Sequence, residues 1–200
     1  MNLKLIYGNM RALCEAPQMM LHYADIPYEY KMVWDHYGSS WAEVKKDIIF
    51  NRLPILIINE DKYLWQSNTI IRYLSNLTKT KPSDEFQLAY CDAVFESTHE
   101  MFSPLNPTIN MTFGEKYNSN KKKLLEDILP NSLNNFEKLL QNSSGNFFIG
   151  NDPFYCDFNA YHHFSMCLIL DKNIFSNFPN LKKFINNFEK LKNIKKYLDS

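Results

Sequence analysis

The chain is decided by Arg52-Leu53-Pro54-Ile55-Leu56 and, past a polar turn at Asn59-Glu60-Asp61-Lys62, by Leu64-Trp65-Gln66-Ser67-Asn68-Thr69-Ile70-Ile71-Arg72-Tyr73-Leu74. Pro54, between apolar residues at the mouth of a strand, donates no backbone bond, and a cis turn there would leave a neighbouring N–H for a ligand. Residues 55–59 and 63–65 read as a hairpin. Ser67 then reads as the N-cap of a helix whose apolar positions Ile70, Ile71 and Leu74 follow at helical spacing. The N–H groups at such a start, with the positive end of the helix dipole, favour a carboxylate. The stretch therefore predicts strand, strand, helix, with an anion pocket at the helix mouth.

Upstream, residues 3–7 alternate apolar positions with Lys4 in strand fashion, and residues 14–24 carry a helical period with Pro17 near the start. A strand is expected at 28–33 and a loop with a short helix at 41–48. With the helix at 67–77 the order is βαβαββα, that of a thioredoxin-like α/β domain over 1–77, with a right-handed crossover in its first βαβ unit. Residues 78–84, polar and containing Pro82, read as a linker. Everything in 85–200 has helical period and predicts an all-α domain, with helices at 85–102, 121–141, 154–170, 179–191 and 193–198. Pro104 and Pro107 are expected to bend or stop the first of them.

With 200 residues, 45% hydrophobic and 15% aromatic, the chain can bury a sizeable core. Its 22 basic and 22 acidic residues balance, which argues against nucleic acid or an anionic membrane as partner. Lys121-Lys122-Lys123 reads as a solvated helix start. Cys14, Cys91, Cys156 and Cys167 show no CxxC spacing and read as reduced, buried thiols. No charged segment followed by an apolar run opens the chain and no apolar stretch reaches membrane-spanning length, so a cytoplasmic protein is expected. His162 and His163, about 100° apart around a helix, do not converge on one ion, so their role is structural or at the surface and no metal is expected.

Lys4-Leu5-Ile6-Tyr7, Trp41 with Lys45, Arg52-Leu53-Pro54, Gln66-Ser67, and Phe148-Ile149-Gly150-Asn151 through Asp157 together make the chain resemble, almost end to end, the cytosolic glutathione transferases of the tyrosine type, nearest the sigma and pi classes. The resemblance implies glutathione as co-substrate and Tyr7 as the catalytic residue, its hydroxyl donating to the thiolate. It implies that Gln66 and Ser67 hold the γ-glutamyl carboxylate and that the backbone of Leu53, beside Pro54, pairs with the cysteinyl amide. Trp41 and Lys45 would meet the glycyl carboxylate, with Arg52 close by. Glu100 would reach the α-amino group of glutathione bound by a second subunit, and Phe50 would plug into that subunit, making the protein a homodimer. Gly8, Asn9 and Leu13 would wall the site of a hydrophobic electrophile, with Met101, Phe102 and Leu105 opposite.

The departures from the family pattern bear on the sulfur. Gly8 stands where an aromatic is usual, and Arg11-Ala12-Leu13-Cys14 replaces Arg-Gly-Arg-Ala. Leu13 removes a cation near the thiolate, and each pKa unit not lowered forgoes about 1.4 kcal/mol. Phe154 replaces a Ser or Thr helix cap, a role expected to pass to Asp152. The implied function is conjugation of glutathione to hydrophobic electrophiles. A glutathione-dependent isomerase of the prostaglandin D synthase kind, and a carrier that keeps the grip without the chemistry, are the alternatives.

Overall fold

The structure is a computed structural model and describes residues 1–199. The chain divides into two compact units, one spanning Met1–Thr80 and one beginning at Lys81.

The first unit is built on a four-stranded mixed sheet with strand order β2-β1-β3-β4: β1 Leu3–Tyr7, β2 Glu29–Met32, β3 Ile55–Ile58, β4 Lys62–Trp65. β1 and β3 lie in the middle, where both faces are covered. Their runs Leu-Lys-Leu-Ile-Tyr and Ile-Leu-Ile-Ile are accordingly buried at every position but Lys4. β1 pairs parallel with β2, Tyr7 opposite Met32, and antiparallel with β3, Ile6 opposite Ile55. Ile55 in turn lies opposite Trp65. Tyr7, the Leu53-Pro54 segment and Gln66 are therefore brought to one end of the sheet. Helices α1 (Glu15–Tyr23) and α4 (Ser67–Leu77) pack on each other. A core of Ile6, Val33, Ile48, Ile55 and Ile57 holds Trp41, Val44, Leu53 and Trp65 at its margin.

Two local features differ from the sequence reading. A short helix α2 (Val33–Tyr37) follows β2 directly and ends at Gly38, whose φ of +68° suits glycine. Ser67 is the first residue inside α4, and Gln66 occupies the cap with φ +70°. The short helix α3 (Trp41–Val44) begins as expected. Its start is braced by Glu43, which accepts from the Ser40 N–H at 2.9 Å, the Ser40 hydroxyl at 2.8 Å and the Ser39 hydroxyl at 2.9 Å.

The second unit is helical. α5 (Glu85–Met111) is capped by Asp84, which accepts from the Gln87 N–H at 2.8 Å, and of the bend or stop expected at Pro104 and Pro107 it shows no stop, continuing through both. The buried stripe Met101, Phe102, Leu105, Thr108 runs unbroken past both prolines, so packing outweighs the lost backbone bonds. Thr108 Oγ1 donates to the Pro104 carbonyl at 2.9 Å. α6 (Gly114–Lys123) has no buried residue and therefore left no apolar period to read. A π-helical stretch, Leu124–Ile128, joins it to α7 (Leu129–Asn142). α8 (Tyr155–Leu170) packs along α5 and is buried at every residue from 155 to 164. α9 (Pro179–Glu189) and α10 (Lys192–Leu198) complete the unit.

The expected cap on α8 is corrected. Neither Asp152 nor the phenyl of Phe154 caps it. Asp157 instead reaches back, one carboxylate oxygen accepting from the Phe154 N–H at 2.8 Å and the other from the Phe148 N–H at 3.1 Å. Burial pushes its pKa up to about 7 against these bonds.

His162 and His163 are core residues, each 1% exposed. His163 stacks on Phe102 at 4.0 Å, and its Nδ1 lies 2.9 Å from the Thr98 carbonyl, so that nitrogen carries the proton. Burial first, then His162 and His99, hold its pKa well below 6.5. The stability tied to this ring is thus full above pH 6.5 and lost on acidification. Urea midpoints at pH 5.5 and 7.5 should differ more in the native chain than in His163→Gln, and equal differences would refute the assignment. Among the described residues no group of three or more His, Cys, Asp or Glu is placed to hold a metal, and no helix is long and apolar enough to cross a membrane.

Candidate functional site

Tyr7 closes β1 with its ring 7% exposed and its hydroxyl accepting the Leu13 N–H at 3.3 Å. Burial raises the phenol pKa to about 12, and the Leu13 bond works against that rise. The group is therefore a neutral donor at physiological pH. Because a backbone N–H takes a lone pair of the oxygen, the hydroxyl proton is left to point elsewhere.

The residues after Tyr7 form a loop with no helix or strand until Glu15. Gly8 and Leu13 are half-buried, and Asn9 is exposed. Arg11 is engaged by Glu15, which is 2% exposed, with Nη2 at 2.6 Å and Nε at 2.8 Å from one carboxylate oxygen. Its charge is spent on that buried acid. Cys14, fully buried, has its thiol pKa pushed up by burial and is not a nucleophile.

At the same sheet end, the Leu53–Pro54 peptide is cis and α4 opens at Ser67. Ser67 is 8% exposed, Gln66 is exposed, and the Ile70 N–H donates to the Gln66 carbonyl at 3.0 Å, closing the first turn. The first N–H groups of that turn have no intrahelical carbonyl to meet, and a helix start of this kind suits an anion. Gln66 combines positive φ with ψ 119°, a conformation that costs a side-chain-bearing residue about 1–3 kcal/mol and collects at ligand sites.

Nearby in the same unit, a surface depression of about 480 Å³ is lined by Ala42, Lys45, Lys46, Phe50, Asn51 and Arg52. Three cations around one hollow suit a carboxylate. The Lys45 ammonium lies 6.0 Å from the centroid of the Trp41 ring, which is half-buried against the core. Lys46 was not singled out from sequence, since a helical lysine beside another has no distinguishing signal.

The remaining candidates are placed as follows. Phe50 is 60% exposed at φ +64°, edge-on to Trp65 at 6.2 Å. Glu100 is an exposed residue of α5 in the second unit. Met101, Phe102 and Leu105 of α5 are 3%, 1% and 0% exposed.

Comparison with known proteins identifies the family. The family model described as glutathione S-transferase, N-terminal domain, matches residues 1–76, and that for the C-terminal domain matches residues 99–200. The chain is 29% identical over 203 residues to glutathione S-transferase P of Caenorhabditis elegans, covering 100% of this chain and 93% of that one. Among solved structures, the pi-class glutathione S-transferase of Onchocerca volvulus superposes with TM-score 0.86 at 26% identity, covering 100% and 93% of the two chains. Rat hPGDS complexed with a quinoline superposes with TM-score 0.87 at 25% identity, covering 99% and 96%. Because those two family models together cover most of both units, the chain belongs to the glutathione S-transferase family.

Proposed function

We propose that this glutathione transferase activates the thiol of glutathione with Tyr7 and adds the thiolate to hydrophobic electrophiles. The observation that carries the reading is the Tyr7 hydroxyl, buried and accepting from Leu13, with its proton left to donate. A thiolate accepting that proton is stabilised relative to the thiol, and the nucleophile forms near neutral pH. Its sulfur bonds to the electrophilic carbon as the leaving group departs, and the thiol proton passes to solvent. The peptide's γ-glutamyl carboxylate belongs at the α4 mouth with Gln66 and Ser67, its cysteinyl amide at the Leu53 backbone beside Pro54. Its glycyl carboxylate belongs at Lys45, Trp41 and Arg52, with Lys46 adding charge. Gly8, Asn9 and Leu13 wall the second substrate on the side of the first unit. The largely exposed Phe50 ring, together with Glu100, supports a homodimer in which each copy completes the other's site. Four buried, unpaired cysteines support a reducing, cytoplasmic setting.

The test is conjugation of glutathione to an aryl halide by the purified protein, beside calorimetric measurement of glutathione binding. Turnover with binding is the expected result. Binding without turnover would replace this reading with that of a carrier, which Leu13 and the Arg11–Glu15 pair favour by leaving the sulfur without a nearby guanidinium.

A second outcome checks the helix mouth. Gln66→Gly relieves about 1–3 kcal/mol of backbone strain and returns about 0.5–1 kcal/mol through glycine's extra freedom when unfolded. Melting temperature should hold or rise while glutathione affinity falls about tenfold, the value of one lost hydrogen bond to a charged group. Unchanged affinity would remove Gln66 from the site.

A further inference from the structure

Gly8 begins the loop, residues 8–13, that leaves Tyr7 and returns Leu13 to it. A side chain at position 8 would meet only Met10 Cε at 3.8 Å, and its φ lies outside the left-handed region, so the glycine serves neither space nor a special turn. What it adds is freedom, in the segment that must present the Leu13 N–H. That bond is 3.3 Å long, near the limit of a useful one, so a shift of about half an ångström would forfeit it.

The loop is restrained from outside. At its far end the Glu15 N–H donates to the Ala12 carbonyl at 3.1 Å, and Arg11 is paired with Glu15. At its near end Tyr30, on β2 and opposite Leu5 in register, reaches forward so that its hydroxyl donates to the Gly8 carbonyl at 2.8 Å. Tyr30 is half-buried, and a phenylalanine would fill the same strand position. Among the described residues the hydroxyl's hydrogen-bond partner is the carbonyl next to Tyr7.

We propose that Tyr30 is a positioning residue for the Tyr7 site: its hydroxyl tethers the Gly8 carbonyl and so holds the loop in the place where the Leu13 N–H meets the Tyr7 oxygen. The proposal rests on the reading of Tyr7 as the thiol-activating group. Without the tether the Leu13 bond lengthens, the Tyr7 proton loses its set direction, and the bound thiol is held less firmly as thiolate.

The test is Tyr30→Phe, which removes one oxygen and keeps the ring. In the protein without substrate, amide hydrogen exchange at Leu13 should rise about tenfold while that at Leu21, in α1, stays unchanged. In conjugation, kcat should fall about threefold to tenfold with KM for glutathione nearly unchanged, and the acid limb of kcat against pH should move up by about half a unit. Leu13 exchange unaltered from the parent overturns the tether whatever happens to turnover. Faster exchange at Leu21 as well would mean general loosening of the first unit rather than of the loop, and overturns it too. Full turnover in Tyr7→Phe would instead sink the assignment of Tyr7, and the exchange readout still judges the tether separately.

Discussion

Tyr7→Phe should lower kcat for conjugation by about tenfold to a hundredfold, because in the proposed mechanism it deletes a hydrogen bond to a charged sulfur worth about 1.5–3 kcal/mol. KM for glutathione holds, since the groups proposed to grip the peptide lie at Gln66, Ser67, Lys45 and Arg52. The thiol of the bound peptide, titrated by its ultraviolet absorbance, moves up by about one to two pKa units. The fold tolerates the change: the ring stays buried and only the Leu13 N–H loses its acceptor. Because burial holds the phenol near 12, the parent enzyme keeps its donor through the alkaline range, and its pH profile shows no falling limb from Tyr7 below about pH 10. Equal turnover by parent and variant would mean that the thiol is activated by another group.

Asp157→Ala strikes the second unit at a buried junction. The carboxylate serves the N–H groups of Phe148 and Phe154, and leaving both without an acceptor costs about 2–5 kcal/mol, or about 5–15 °C in melting temperature. Asp157→Asn, with one carbonyl oxygen left, falls between. Its pH dependence follows from a folded pKa near 7 against 3.8 for the free side chain. The native chain holds a proton there that the unfolded chain has released, so this group's contribution is full below pH 3.8 and lost as pH rises through 7. The stability gap between parent and Asp157→Asn should accordingly narrow from pH 5 to pH 8. A gap that widens would mean that the two N–H donors, rather than burial, dominate the carboxyl. His163, whose ring is kept neutral, has the opposite sign, so the two groups squeeze the helical unit from both sides of neutrality.

The strands were legible because Ile55–Ile58 and Leu3–Tyr7 are apolar runs of strand length bounded by turn residues, and α4 because its apolar stripe is regular. α6 was seen only at its end, since a helix with nothing buried writes no period. α5 was cut short because two prolines are a strong local stop signal, overridden here by a buried stripe that only tertiary packing can reward. At the proposed site, residue types suited to anions could be read in Lys45, Arg52, Gln66 and Ser67. The contacts made by main chain could not. Leu13 read as the loss of a cation, and nothing in its side chain announces that its N–H touches Tyr7. The Gly8 carbonyl and Tyr30 hydroxyl escaped notice for the same reason, being a pairing between a strand and a loop 22 residues apart.

The Leu13 contact separates two things that usually vary together. The donor that sets the Tyr7 proton is encoded by the path of the chain, and it is identical for every residue type except proline. The side chain at the same position takes no part in that bond. Position 13 can thus change its side chain, and with it the charge near Tyr7, without giving up the N–H that meets the Tyr7 oxygen.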